Sequence, residues 1–205
     1  MVKKDFVFAA VIGLVTAAFA SPLLYFANDR NLIVRGFGFE VSVLWLFVVL
    51  PVAEYIGYII ASKLFSHVLI LRQLGRFGIV GVMNFCVDTS IVTIFAELRG
   101  IDPETSAIIP YLIFATSVAI VNSYFWQRSW TFAEKAPPSR KEFIGFVMIT
   151  VLGIAINTTV TFILLSTFAK LFANNAQLIS VAKIGATGIS LFWNFLGYKF
   201  FVFKS

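Results

Sequence analysis

Six long apolar runs, separated by short polar stretches, organise the chain: Phe6–Ala27, Val41–Leu64, Phe77–Leu98, Ala107–Trp126, Phe143–Leu165 and Leu178–Tyr198. A helix of about 20 residues crosses the roughly 30 Å hydrocarbon layer of a bilayer. Lipid offers the backbone no hydrogen-bond partner, so each run is predicted to be a helix. The ten-residue alternation of a membrane barrel is not visible. The predicted fold class is therefore all-α, a polytopic membrane helix bundle. The stretch Lys63 to Arg76 mixes His67, Arg72, Gln73 and Arg76 with Leu and Ile. It is expected to lie in the interface as a short amphipathic helix. Ala133 to Glu142 carries Pro137 and Pro138 and reads as a polar break, and Asp102 or Thr105 is placed to cap the fourth helix. Lys3 and Lys4 precede an apolar run in which Ala18-Phe19-Ala20 resembles a signal-peptide cleavage site. The apolar character continues through Phe26, so this run is read as the first span.

The last four spans repeat. With Phe77–Phe95 set beside Phe146–Leu164, Asp88 falls on Asn157, Thr89 on Thr158, Ser90 on Thr159 and Ile94 on Ile163. The segments that close spans four and six also pair. NSYFWQRSWTF at Asn122–Phe132 matches NFLGYKFFVF at Asn194–Phe203, with Arg128 on Lys199, Trp130 on Phe201 and Phe132 on Phe203. Each pair of spans crosses twice, which keeps both copies in one orientation. The expected architecture is a four-helix core of two parallel two-helix repeats, with two added N-terminal helices. The corresponding segments are residues 1–66 and 72–205.

Composition supports this picture. Hydrophobic residues make up 60% and charged residues 13% of the chain, against about a quarter charged in soluble domains. The net charge of +6 comes from basic residues at the ends of apolar runs, a topological pattern rather than a nucleic-acid face. With the N-terminus inside, eleven Lys and Arg face the cytoplasm, Arg30, Arg35, Arg99 and Lys170 face out, and Lys183 lies within a span. The positive-inside rule then puts both termini in the cytoplasm of a cytoplasmic-membrane protein. His67 and Cys86 are the single residues of their types, which excludes an internal disulfide and a Cys/His zinc site. No nucleophile elbow or Walker lysine is present. No metal, cofactor or enzymatic role is expected.

Polar residues inside the spans carry the candidate chemistry. Lys183, Thr187, Ser190 and Asn194 share one face of span six; Thr150, Gly153, Asn157 and Thr161 share one of span five. Span three offers Gly81, Asn84 and Asp88, and span four Tyr111 and Asn122. Stripes on four helices point to a shared polar interior, because polar groups facing lipid are costly. Asp88 reads either as a proton or counter-ion site or as hydrogen-bonding glue. Lys183 reads as a snorkelling residue or as a ligand contact, and Glu54 as a packing residue against the core. Arg128 and Lys199 lie where their helices leave the bilayer, at the depth of lipid phosphates. They read as topology signals or as phosphate ligands. Trp126, Trp130, Trp193 and Tyr198 are expected in the interfacial aromatic belt.

RFGIVGVMN at Arg76–Asn84, QRSWTF at Gln127–Phe132 and ISLFWNFLGYKFFVF at Ile189–Phe203 resemble the GtrA-like membrane proteins. The resemblance covers residues 72 to 205 and leaves the first two spans aside. Gln127 stands where the family usually has Asn. The resemblance implies flipping of a polyprenyl-phosphate-linked monosaccharide for cell-surface polysaccharide synthesis, with a membrane glycosyltransferase as partner. On that reading Arg128 and Lys199 engage the phosphate. The sugar passes Asn84, Asp88, Asn122, Asn157, Lys183, Thr187, Ser190 and Asn194, and the prenyl tail stays among membrane lipids. A homodimer would enlarge the small cavity. The alternatives are a scaffold that recruits the glycosyltransferase and a small proton-coupled exporter using Asp88.

Overall fold

A computed structural model describes residues 3–28, 30–36, 39–64, 68–102, 105–168 and 175–203. Six helices dominate: α1 (Lys3–Ala27), α2 (Leu46–Leu64), α3 (Leu69–Arg99), α4 (Ile109–Trp126), α5 (Arg140–Phe168) and α6 (Asn175–Gly197). Five stretches are long and apolar enough to cross a membrane: Asp5–Ala27, Val43–Ile60, Leu69–Arg99, Ser106–Thr131 and Arg140–Phe168. The 23 residues of α6 extend about 34 Å, also a bilayer-spanning length. The fold is a polytopic helical membrane bundle.

Two boundaries differ from the sequence reading. Span two does not begin at Val41, because Ile33–Gly36 (β1) and Phe39–Ser42 (β2) pair as an antiparallel hairpin with Val34 opposite Val41. β-Branched and aromatic residues interrupted by Gly36 favour paired strands over helix. The Val43 N–H donates to the Leu32 carbonyl at 2.7 Å, closing the hairpin onto the turn that leads into α2. The separate amphipathic helix expected between Lys63 and Arg76 is also absent from the described residues. Leu69 to Arg99 is one helix of 31 residues, about 46 Å long by its rise per residue and so longer than the hydrocarbon layer. Residues 65–67, with His67, lie outside the described residues. The helix ends where Gly100 adopts φ +61° and donates its N–H to the Ala96 carbonyl, a left-handed cap that suits glycine. The expected side-chain cap from Thr105 is not formed, because its hydroxyl donates to the Asp102 carbonyl at 2.8 Å instead.

The chain divides into two compact units, Met1–Ala133 and Glu134–Ser205. In the first, α1 packs along α2 and α3, and α3 along α4. The α1–α2 contact is close: a Cβ on Gly13 would meet Pro51 Cα at 2.3 Å. Ala9, Ile12, Tyr58, Val80, Met83 and Trp130 form the buried cluster of this unit. Two of the polar contacts that tie α1 to its neighbours lie along its middle. Thr16 Oγ1 donates to Glu54 Oε1 on α2 at 2.7 Å, and the Ser90 hydroxyl of α3 donates to the Phe19 carbonyl. Glu54 thus packs against α1.

The second unit is the α5–α6 pair. The Pro137-Pro138 segment is non-helical, and Ser139 Oγ accepts the Glu142 N–H at 3.1 Å where α5 begins. Near the same end of α5, Phe146 stacks on Tyr198 with ring centroids 4.2 Å apart.

Candidate functional site

The intramembrane polar residues of the first unit meet across α3 and α4. Asn122 Nδ2 donates to Asn84 Oδ1 at 3.1 Å, and Trp126 Nε1 donates to Asn122 Oδ1 at 3.2 Å. One turn along α3, Asp88 Oδ1 accepts from Thr116 Oγ1 at 3.1 Å. Asn84 and Asp88 share one face, so two contacts zip the helices together. Asn122 also lines an open groove on α4 of about 470 Å³ with Phe114, Ser117, Val118, Val121 and Phe125.

The second unit repeats this arrangement. Asn157 Nδ2 donates to Ser190 Oγ at 3.2 Å and to Thr187 Oγ1 at 3.4 Å. Asn157 is the counterpart of Asp88, and Thr187 lies 71 positions after Thr116, the same interval that separates Lys199 from Arg128. The Asp88–Thr116 contact therefore recurs as Asn157–Thr187. The Asn84–Asn122 contact recurs in altered form: Gly153 stands in place of Asn84, and Asn194 fills the space its side chain would take. A Cβ on Gly153 would lie 2.1 Å from Asn194 Oδ1. That oxygen is buried and has no hydrogen-bond partner among the described residues. Gly153→Ala should therefore displace the Asn194 amide and lower the unfolding free energy by about 1–3 kcal/mol, the range for overpacking. Thermal unfolding of the purified protein checks this. Lys183 and Thr187 are exposed, whereas Ser190 is buried.

Each unit ends its second core helix in a π-helical turn, Gln127–Thr131 after α4 and Tyr198–Val202 after α6. The turns are closed alike, by Phe132 N–H to the Gln127 carbonyl at 2.9 Å and by Phe203 N–H to the Tyr198 carbonyl at 2.7 Å. Such turns are rare and collect at functional sites. Arg128 and Lys199 are the second residue of each turn, half-buried and buried respectively. The first residues, Gln127 and Tyr198, are both buried.

The aromatics expected at the interface divide. Trp130 is 1% exposed and Tyr198 3%, so both face inward rather than toward headgroups. Tyr198 OH lies 2.6 Å from Thr150 Oγ1. Trp193 is on the surface, with Nε1 donating to the Ile149 carbonyl at 3.3 Å.

A cluster around Trp130 was not singled out by the sequence. Trp130 Nε1 donates to Asp5 Oδ1 at 3.1 Å, and Arg76 Nη2 pairs with the same oxygen at 3.0 Å. Arg76 Nη1 donates to the Trp130 carbonyl at 3.0 Å. Its Cζ stands 5.6 Å from the Trp130 ring and 5.7 Å from the Tyr58 ring. The only signal in the sequence is a lone acid in a basic N-terminal segment, beside an arginine that opens the RFGIVGVMN motif.

Comparison with known proteins assigns most of the chain to one family. Residues 76–203 match the family described as GtrA/DPMS, transmembrane domain. The chain is also similar to the uncharacterized membrane protein YngA of Bacillus subtilis, 33% identical over 133 residues, covering 65% of this chain and 80% of that protein. The matched stretch opens at Arg76 and closes at Phe203, the residue whose N–H closes the second π-helical turn.

Proposed function

The chain belongs to the GtrA/DPMS transmembrane-domain family, and we propose that it flips a polyprenyl-phosphate-linked monosaccharide from the inner to the outer leaflet of the cytoplasmic membrane. The observation that carries this reading is the twofold recurrence of one device: an intramembrane set of amides and hydroxyls, followed on the same helix by a cation on a π-helical turn. Each unit offers one cation for a phosphate at the inner leaflet, Arg128 in the first and Lys199 in the second. Arg offers a fork of donors and Lys a point charge, and both favour a phosphate over a neutral headgroup. The sugar hydroxyls exchange with the side-chain contacts at Asn84, Asp88, Asn122, Asn157, Ser190 and Asn194. A hydrogen bond replaced by another of the same kind changes the free energy by only about 1 kcal/mol. That small difference suits a path the cargo must leave. The prenyl tail remains in lipid. A membrane glycosyltransferase consumes the delivered sugar in building surface polysaccharide.

Binding tests the first step. A short-chain polyprenyl-phosphate sugar should raise the melting temperature of the detergent-purified protein, and the matching neutral prenol should not. Equal effects of the two would remove phosphate recognition.

The proposed orientation has its own check. Both termini inside places Ser106 outside and Ser139 in the cytoplasm. With Cys86 replaced, Ser106→Cys should react with an impermeant thiol reagent on intact cells, and Ser139→Cys only after lysis. Labelling of the Ser139 position on intact cells would reverse the topology.

A further inference from the structure

Arg76 holds an unusual set of partners for a topology signal. Its guanidinium lies between two aromatic rings, bonds a backbone carbonyl and pairs with one carboxylate oxygen. The pair is largely enclosed, with side chains of Arg76 and Asp5 19% and 14% exposed. The network is nevertheless incomplete. Arg76 Nε is buried with no hydrogen-bond partner among the described residues, and so is Nε of Arg72, one helical turn earlier on α3. A buried donor left unmade costs about 1–3 kcal/mol. Asp5 fills neither: its Oδ1 accepts from Arg76 Nη2 and from Trp130 Nε1, and neither of its oxygens bonds the Nε of Arg72 or Arg76. A phosphate has three terminal oxygens, more negative charge than a carboxylate, and a geometry that guanidinium forks match.

We propose that Arg72 and Arg76 form a phosphate-headgroup site that Asp5 occupies as a displaceable internal anion. The occupant is a lipid carrying a terminal monophosphate. It takes Arg76 Nη2 from Asp5 and completes the two unfilled Nε donors. Asp5 lies outside the matched residues 76–203, whereas Arg76 and Trp130 lie inside them. The N-terminal helix thus acts as a gate on a site at the edge of the family region, where Arg72 lies just before the match and Arg76 opens it. The proposal concerns binding in the first unit only, and it holds whether or not the chain moves a sugar.

The alternative is a plain staple, in which Asp5 and Arg76 only fasten α1 to α3. Binding of farnesyl phosphate to the full-length detergent-purified protein separates the two. Asp5→Asn removes the competing charge and should tighten binding about tenfold, the effect of one charge-assisted contact. Adding Arg76→Gln to Asp5→Asn should cancel that gain. Arg72→Gln leaves the Asp5–Arg76 pair intact and should weaken binding about tenfold. A staple predicts no change for Arg72→Gln, and for Asp5→Asn a lower melting temperature without tighter binding. Either result would overturn the proposal, and Arg72→Gln decides it even if Asp5→Asn fails to fold. Inorganic phosphate is the second probe. Its competition against farnesyl phosphate in the Asp5→Asn protein places recognition in the headgroup, and no competition at millimolar concentration would assign binding to the tail and overturn the site. Arg128→Ala serves as the control. If it abolishes binding while Arg72→Gln has no effect, the phosphate lies at the π-helical turn alone, and this site falls while the translocation reading stands.

Discussion

Arg128→Ala should weaken binding of a short-chain polyprenyl phosphate by about tenfold to a hundredfold, the equivalent of losing one charge-assisted hydrogen bond of about 1.5–3 kcal/mol. Arg128→Lys should fall between wild type and Ala, because the charge remains and the two-pronged contact is lost. The position supports a specific role: Arg128 sits half-buried on a π-helical turn whose counterpart again carries a cation. A purely topological role makes different demands. Lys would then be fully tolerated, and Ala would be rescued by a new Lys at Ala133. Ala133 has φ +50°, so any side chain there bears the same left-handed backbone as the native alanine and the rescue variant is a fair control. Equal affinities of the wild-type, Lys and Ala proteins would remove Arg128 from the site.

Trp130→Ala should be the most damaging single substitution in the first unit, lowering stability by about 3–5 kcal/mol as for other buried aromatics. The ring is 1% exposed and packs within the cluster of Ala9, Ile12, Tyr58, Val80 and Met83. Lipid is as apolar as this core, so the loss comes from packing and hydrogen bonding rather than from burial away from water. Trp130→Phe keeps most of the packing and loses the indole N–H to Asp5, so about 1–2 kcal/mol is expected. Phe201, the matching residue of the second copy, is 74% exposed, and Phe201→Ala should change the melting temperature little. Thermal unfolding of the three variants in one detergent gives the comparison. A large loss at Phe201 together with a small one at Trp130 would contradict this account of the cluster.

Much of the architecture was legible because bilayer length and backbone satisfaction leave few choices. The apolar runs locate the helices, although α3 starts at Leu69 and not at Phe77, and the alignment of Asp88 with Asn157 anticipates a contact that recurs, to Thr116 in one unit and to Thr187 in the other. The hairpin at residues 33–42 was hidden because its Val, Ile and Phe residues look like the start of the next span. Apolar content alone cannot distinguish strand from helix there. The Asp5–Arg76–Trp130 cluster joins residues far apart in the chain, and no periodicity links them. The inward burial of Trp130 and Tyr198 was missed for a related reason. An aromatic near a helix end suits both the headgroup region and a packed core, and only the neighbouring helices decide between them.

The central claim is movement of a sugar-lipid between leaflets by this chain, and the most direct measurement is made in vesicles containing it and no other protein. A short-chain polyprenyl-phosphate monosaccharide is loaded into both leaflets, and the fraction of sugar accessible to an impermeant oxidant is followed with time. The account predicts that wild-type vesicles expose the inner-leaflet sugar in a second, protein-dependent phase, and that this phase slows with Arg128→Ala. Vesicles that stay at the outer-leaflet fraction, indistinguishable from protein-free ones, while the protein is folded and retains phosphate binding, would contradict it and favour a scaffold that recruits a glycosyltransferase.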